Sequence, residues 1–286
     1  MITSRSHGRS APKTWTECDA SSQSGRPAAP HSPPSRGRGR GDDVCAPQEV
    51  TTPAGRVKSV TGERSPQESG DDRATLLKAA YAVKSPDDNR ELYAKWAATY
   101  EQFLNDYRYI YARQVAEIFA ERSSAEGEPV LDAGCGTGRL GWELSRLGIS
   151  PVDGIDISPE MLEKASTMTG PDGAPSYRRL MEADLTGSID LGTDSYSGLV
   201  SSGVFTHGHL GPDALAELLR VVRPGSVGVI GINASIFESN GYRARLEHYA
   251  VVGAIGDLDV KFRKVYEDAD DSNANHFTNI AAFTVN

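Results

Sequence analysis

The chain has 286 residues, a net charge of −9 and 38% hydrophobic residues, with a mean hydropathy of −0.43. That length allows one large domain or two small ones, and the hydropathy is low for a chain packed throughout, so part of it is expected not to fold. The acidic balance gives no global attraction to nucleic acid or to anionic membrane, and no run reaches the apolar length of a membrane span. Cys18, Cys45 and Cys135 make no disulfide framework and fit a reducing compartment, so a cytoplasmic location is expected.

Residues 1–70 are rich in Ser, Pro, Arg and Gly and lack helical or strand periodicity, which predicts a disordered tail. Residues 1–41 carry seven Lys/Arg and two acids, so the remainder holds 23 basic and 37 acidic residues, a net of −14. The run Arg36-Gly37-Arg38-Gly39-Arg40-Gly41 reads as a solvated basic linker or as an RNA-docking or methylarginine segment. Many Ser and Arg with few acids also fit an organellar transit peptide.

Folding is expected from about Asp71, giving a single domain over 71–286. Ser85-Pro86-Asp87-Asp88 is a helix start, with Ser at the N-cap, Pro in the first turn and acids against the positive helix end. Apolar steps of three and four from Leu92 to Phe119 predict one or two amphipathic helices. Tyr93, Trp96 and Tyr100 form an aromatic stripe there, read either as helix packing or as a lid over a ligand. A loop follows over Ser123 to Glu128.

Val130-Leu131 reads as a buried strand that stops in Asp132-Ala133-Gly134-Cys135-Gly136-Thr137-Gly138, and a helix with apolar spacing at Leu140, Leu144 and Leu147 follows. Strand, glycine loop and helix bring backbone N–H groups close to a polar ligand. The spacing is not that of the dinucleotide fingerprint, whose last glycine lies further on. Cys135 in this loop reads as a small filler rather than a nucleophile. A second apolar run, Val152 to Ile157, carries Asp156 where the next strand of a βαβ unit ends, and such an acid can accept both hydroxyls of a ribose.

Ser158-Pro159 repeats the capping pattern, and Met161, Leu162 and Ala165 give the next helix an apolar face. Tyr177 to Glu182 is a weak third strand, and the Ser195–His207 stretch is a fourth strand with its exit loop. A helix over Pro212 to Val222, a turn at Arg223-Pro224-Gly225-Ser226 and a fifth strand over Val227 to Ile232 follow. Ile236 to His248 is helix-like and Ala250 to Gly256 a turn. Val260 to Tyr266 and Phe277 to Val285 alternate as two last strands.

Leu131-Asp132-Ala133-Gly134-Cys135-Gly136-Thr137-Gly138, followed by Gly154-Ile155-Asp156-Ile157-Ser158-Pro159-Glu160-Met161-Leu162, resembles the first two motifs of the class I S-adenosylmethionine-dependent methyltransferases. The resemblance runs from about Tyr93 to the C-terminus. Within that family, Trp96-Ala97-x-x-Tyr100, Ser202-Gly203-Val204 and the Asn233-Ala234-Ser235 to Tyr242 stretch look most like the Williams–Beuren syndrome chromosome-region methyltransferase-like proteins. The fold it implies is an α/β, Rossmann-like sheet, mostly parallel with a C-terminal antiparallel hairpin, with helices on both faces and an N-terminal helical lid.

The cofactor it implies is S-adenosyl-L-methionine. By the resemblance, Asp132, Gly134, Cys135, Gly136, Thr137 and Gly138 form the first binding loop and Asp156 takes the ribose. Ile157 and Met161 line one side of the adenine, although Met161 also reads as plain core. Ala183-Asp184-Leu185 resembles the third motif, with Asp184 accepting from the adenine amino group and Leu185 beside the ring, although Asp184 also reads as a solvated loop acid. Ser201, Ser202 and Gly203 face the methionine end, and Tyr93, Trp96 and Tyr100 cover the cofactor. Two departures are Ser226 in place of a second glycine, and the absence of an acid inside the start of the fourth strand.

Methyl transfer needs the acceptor held in line and water excluded, and a base only if the acceptor must lose a proton. His207, just past the fourth strand, is the candidate base, with His209 two residues on; either also reads as an exposed loop histidine. No Asn/Asp-Pro-Pro-aromatic run follows the fourth strand and no Pro-Cys nucleophile exists, which disfavours methylation of base amines and of pyrimidine carbon 5. The reading is an enzyme acting on a small-molecule acceptor, with nucleic acid and membrane not expected as partners and no metal. The alternatives are a protein or RNA methyltransferase docking through the basic tail, and a cofactor-binding module without turnover.

Overall fold

The computed structural model describes residues 75–124 and 127–286, so the expected disordered tail over 1–70 and the expected domain start at Asp71 lie outside the described residues. The described residues build a seven-stranded sheet from β1 (Val130–Ala133), β2 (Val152–Asp156), β3 (Arg179–Glu182), β4 (Tyr196–Phe205), β5 (Val222–Asn233), β6 (Ile255–Lys264) and β7 (Phe277–Val285). The order is β3-β2-β1-β4-β5-β7-β6. Pairing is parallel from β3 to β5 and antiparallel for β5 with β7 and β7 with β6. This is the expected Rossmann-like sheet with its C-terminal antiparallel hairpin.

Neighbouring residues on the central strands face opposite sides, as the pleat requires. Val130 and Val200 pack with Phe119 and Leu144 on one face, while Leu131 and Leu199 pack with Leu215, Leu218 and Leu246 on the other. The helices that supply these partners are α4 (Tyr111–Arg122) and α5 (Arg139–Arg146) on the first face, and α7 (Ala214–Arg220) and α9 (Tyr242–Val251) on the second. Burial on both faces explains why the strands read as near-continuous apolar runs. A separate apolar cluster of Ala80, Trp96, Phe103 and Leu104 joins α1, described over 75–80, to α2 (Pro86–Trp96) and α3 (Tyr100–Asp106).

Both predicted caps form: Ser85 Oγ accepts from Asp88 N at 3.1 Å and Ser158 Oγ from Met161 N at 3.3 Å, the latter opening α6 (Pro159–Ser166). Elsewhere the boundaries differ. The stretch from Leu92 to Phe119 makes parts of three helices rather than one or two, because the chain turns at residues 97–99 and again at Arg108, whose φ is +52°. The Ile236–His248 region breaks into α8 (Ala234–Phe237) and α9 around Gly241, with φ +80°. β5 begins at Val222, so Arg223–Ser226 is an irregularity inside the strand, marked by a register shift between Tyr196 and Gly198 of its partner. β6 starts at Ile255, within the expected turn.

Gly228 of β5 pairs with Phe283 of β7, and a Cβ placed on it would lie 2.4 Å from the buried Phe283 ring. We expect Gly228→Ala to destabilise by roughly 1–3 kcal/mol from overpacking, less the fraction of a kcal/mol that alanine recovers in chain entropy. The urea midpoint should fall at constant slope, and an unchanged midpoint would mean that the ring moves aside without cost.

Candidate active site

In an open parallel sheet, ligands bind where the connections leaving two adjacent strands diverge. Here that point lies between β1, which runs on to β2 and β3, and β4, which runs on to β5. A cleft of about 870 Å³, counting space open to solvent, sits at this edge. It is walled by the glycine loop after β1, the turn after β2, residues 183–186 after β3, residues 202–204 and 209–210, and residues from α2 and α3.

The glycine loop takes its shape from left-handed backbone at Gly134, Gly136 and Gly138, with φ of +73°, +54° and +97°. A Cβ on Gly134 would strike Val204 at 2.6 Å, whereas one on Gly136 would meet nothing within 4 Å. Gly136 therefore presents bare backbone to open space at the cleft. Asp156, at the end of β2, holds that loop in place: one carboxylate oxygen accepts from Gly136 N at 2.8 Å and the other from Ser158 N at 3.0 Å. Burial pushes the Asp156 carboxyl upward, and three backbone N–H groups partly offset this. A carboxylate has lone-pair capacity beyond two such bonds, so it can still accept from a ligand's hydroxyls.

Most of the sequence-predicted residues line this cleft: Tyr93, Tyr100, Gly134, Cys135, Gly136, Thr137, Asp156, Ile157, Met161, Asp184, Leu185, Ser202 and Gly203. Cys135 is buried with its sulfur against Gly154, and burial raises its thiol pKa well above normal, which fits a filler rather than a nucleophile. Asp184 Oδ1 accepts from both the N–H and the hydroxyl of Thr186, at 2.8 and 2.7 Å.

Five predicted residues are not on the cleft wall. Gly138 is buried against Tyr177 and Ala165. Trp96 is 2% exposed, stacks on Tyr93 and lines a second cavity. Asp132 is fully buried beneath the loop, where Oδ2 accepts from Tyr177 Oη at 2.7 Å and Oδ1 has no partner among the described residues. The Tyr177 hydroxyl in turn accepts from Gly141 N at 3.0 Å. His207 lines neither cavity; its Nε2 lies 3.1 Å from Ser235 Oγ. Ser201, also expected to face the methionine end, is buried and donates instead to Ala133 O at 2.7 Å.

The sequence reading passed over Asn89, Tyr109 and Arg139 of the wall, and named His209 only beside His207. Arg139 lines the cleft and donates at 2.7 Å to Glu101, which also accepts from the Thr137 hydroxyl, so α3 is tied to the glycine loop. Asn89 lines it too, donating to Gly208 O at 3.3 Å while its buried Oδ1 has no partner among the described residues. His209 faces the cleft with Nδ1 2.6 Å from His207 O and Nε2 3.0 Å from Tyr93 Oη. A carbonyl requires Nδ1 to carry the proton, so Nε2 accepts from the tyrosine. Burial lowers the His209 pKa, which keeps the ring neutral. The side chains of Asn89, Arg139 and His209 reach partners distant in sequence, at Gly208, Glu101 and Tyr93.

Residues 130–225 match the family model described as a methyltransferase domain. Among known proteins, the chain is similar to the uncharacterized methyltransferase YodH of Bacillus subtilis, 31% identical over 42% of this chain and 48% of that protein. It is similar to the O-methyltransferase cnsE of Penicillium expansum, 29% identical over 51% of this chain and 58% of that protein. It is also similar to the human methyltransferase-like protein 27, 28% identical over 60% and 68%. The chain thus matches about half the length of the first two. The methyltransferase-domain match covers about a third of the chain, from β1 into β5, and the strand order with a cleft at its switch point is consistent with it. Among the described residues no helix is long and apolar enough to cross a membrane.

Burial raises the Asp132 carboxyl to about 7, with the Tyr177 hydrogen bond pulling it down and Asp156 pushing it up. Because the folded pKa lies above the unfolded one, this group's stabilisation is complete below about pH 4 and is lost as pH rises to about 7, where it levels off. We expect Asp132→Asn to flatten that decline and to be more stable above neutrality by up to about 4 kcal/mol. Urea titrations of both proteins from acid to mildly alkaline pH would check this, and parallel pH profiles would refute the assignment.

Proposed function

We propose that this chain is an enzyme that transfers the methyl group of S-adenosylmethionine to a small-molecule acceptor. The observation that carries the reading is a single cleft that gathers the bare backbone of Gly136, the Asp156 carboxylate, the apolar pair Ile157 and Met161, and the 183–186 edge. These are complementary to a nucleoside: a carboxylate for the ribose hydroxyls, flat apolar walls for adenine, and polar groups at the rim. The unpartnered Asn89 Oδ1 supplies a further acceptor at the wall for an amino group.

In this reading Gly134, Cys135, Gly136 and Thr137 cradle the cofactor with backbone and Asp156 holds its ribose. Asp184 and Leu185 meet the adenine edge, Ser202 and Gly203 lie at the methionine end, and Tyr93 and Tyr100 cover it from α2 and α3. Asp132, Gly138 and Trp96 act one layer back, by shaping the loop and the aromatic cover. The bound cofactor supplies a methyl group on a positively charged sulfur, so that attack by the acceptor forms the new bond as the carbon–sulfur bond breaks and leaves S-adenosylhomocysteine. The chain's own work is to align the acceptor and exclude water.

Neutral His209, reached through the Tyr93 hydroxyl, is the better-placed group for a proton the acceptor releases. His207, the histidine singled out from sequence, contributes as a positioning residue through Ser235. The name of the cnsE relative favours oxygen as the methylated atom. The finer grouping with the Williams–Beuren syndrome chromosome-region methyltransferase-like proteins rests on the three short stretches quoted above. Docking of protein or RNA through the basic tail involves residues outside the described ones, and the net −14 of the remainder opposes RNA.

Calorimetry with S-adenosylhomocysteine tests the cofactor assignment. Asp156→Ala should weaken binding roughly ten- to a hundredfold, the ~1.5–3 kcal/mol of charge-assisted hydrogen bonds to a ribose. Asp156→Asn, which keeps one acceptor for the Gly136 or Ser158 N–H, helps to separate loop collapse from lost ligand contact: it should melt closer to the parent than Asp156→Ala does and still bind weakly. Unchanged affinity in both variants would sink the ribose assignment.

A further inference from the structure

A second cavity, of about 610 Å³ counting space open to solvent, lies over the same sheet edge but beyond β4. Its floor comes from the ends of β4 and β5, the start of β7 and the chain after β6, at Phe205, Asn233, Thr278 and Tyr266. Its cover comes from α1 to α3. Five residues, Tyr93, Tyr100, Leu104, Tyr109 and Gly203, line both cavities. The second cavity therefore adjoins the 202–203 end of the first, the side assigned above to the methionine end of the cofactor. A nucleophile must approach the transferred methyl from a neighbouring space of this kind.

The two cavities differ in chemistry. The first is lined by Arg139, Asp156 and Asp184. Among the described residues that line the second, none is charged, and nine of eighteen are aromatic. The tyrosines there stay neutral at physiological pH: burial pushes Tyr81 up to about 12 and moves Tyr93, Tyr111 and Tyr266 upward as well. An anionic ligand would lose its hydration with no Lys or Arg to replace it. A cationic one would lie beside a positively charged sulfur with no carboxylate to offset the repulsion.

The polar groups on its wall are mainly hydroxyls and amides, and several are committed to each other. Asn233 Oδ1 and Asn275 Oδ1 both lie within hydrogen-bond distance of Ser235 Oγ, at 2.6 and 2.9 Å, and Thr278 Oγ1 bonds to Tyr111 Oη and Ile232 O. Thr206, also on this wall, has a buried hydroxyl with no partner among the described residues. A buried hydroxyl without a partner is costly unless a ligand satisfies it.

We infer that this second cavity is the acceptor site and that it takes an uncharged, largely apolar molecule of one or two rings carrying a hydroxyl. The assignment rests on the methyl-transfer reading above and adds the class of acceptor to it. The rings pack among Trp96, Phe103, Phe205 and Tyr266, the Thr206 hydroxyl takes a polar group, and the reacting oxygen lies toward Tyr93 and Gly203. The oxygen forms its bond to the methyl carbon as that carbon leaves sulfur, and the hydroxyl proton passes to the Tyr93 oxygen as the Tyr93 proton moves to His209 Nε2.

The test uses the full chain and three probes with one ring system: naphthol, naphthoate and naphthylmethylammonium, titrated by calorimetry in the presence of saturating S-adenosylhomocysteine. Naphthol should bind at least about tenfold more tightly than either charged analogue, the scale expected for burying an unpaired charge. Leu77→Trp, at a half-exposed position of α1 that lines only the second cavity, should weaken naphthol about tenfold and leave S-adenosylhomocysteine within about twofold. Thr206→Val, a near-isosteric change, should weaken naphthol by a smaller factor, about fivefold. Equal binding of a charged analogue, displacement of S-adenosylhomocysteine by naphthol, or indifference of naphthol to Leu77→Trp would each overturn the inference. Binding of S-adenosylhomocysteine without naphthol overturns this assignment alone. Naphthol binding without S-adenosylhomocysteine overturns the methyl-transfer reading, and the acceptor role with it.

Discussion

The Asp156 carboxylate is the constraint on which the site depends. It closes the gap between two loops that leave neighbouring strands, taking Gly136 N–H with one oxygen and Ser158 N–H with the other. The first bond adds to those by which Gly134 N and Cys135 N donate to Ile155 O, and it fixes the one glycine of the loop at which a Cβ would meet nothing. The second fixes the start of α6, whose own cap, Ser158, is buried. A single ionisable group thus sets the shape of the cleft and remains a candidate ligand for what enters it. Behind it, Tyr177 bridges Asp132 and the N–H of Gly141, so the loop is held from below as well as from the front. The close approach of Tyr177 to Gly141 leaves no room for a Cβ there, which accounts for a glycine inside α5.

The N-terminal helices complete the site through contacts of another kind. Glu101 of α3 reaches Arg139 and Thr137, Asn89 of α2 reaches Gly208, and Tyr93 reaches His209. Gly208 is pressed so close to Val83 that a Cβ would fall 1.7 Å from its carbonyl oxygen. These are a handful of polar and close contacts rather than a broad apolar seam, while the apolar residues of α1 to α3 largely cluster among themselves. An element held this way separates from the sheet at lower cost than a core helix does. That suits a cover that must admit and release ligands.

What could be read from the sequence was what is local. Ser85-Pro86 and Ser158-Pro159 carry their capping chemistry within four residues, and both helices start there. The glycine loop and Asp156 were legible because a βαβ unit puts a strand-end acid at a predictable distance from the first loop. The aromatic stripe on α2 was also visible, but its division was not: Tyr93 lines both cavities and Trp96 only the second. That division depends on how the helix is rolled over the sheet edge, which periodicity does not encode. Arg139, Asn89 and Tyr109 were missed for the same reason, since each meets the cleft through partners far away in the chain. His207 and His209 sit two residues apart, yet only the second faces the cleft, because Gly208 between them turns the backbone at φ +67°.

The partition of charge between the two cavities follows from this geometry. Charged side chains collect on the β1–β2–β3 side, where strand-end acids meet backbone N–H groups and where a polar nucleoside can be bound with its hydration replaced bond for bond. On the β5–β7–β6 side the antiparallel hairpin brings Phe277, Thr278 and Tyr266 to the same edge, and the helical cover adds its own rings. A low-dielectric space results, next to where a positive sulfur would lie. In the reaction proposed above the positive charge would move from sulfur to His209, which lies on the cleft wall away from the neutral cavity. On that proposal the aromatic side of the cleft would bear on the chemistry as well as on recognition, because it would hold an uncharged acceptor beside the donor while the released proton leaves through Tyr93.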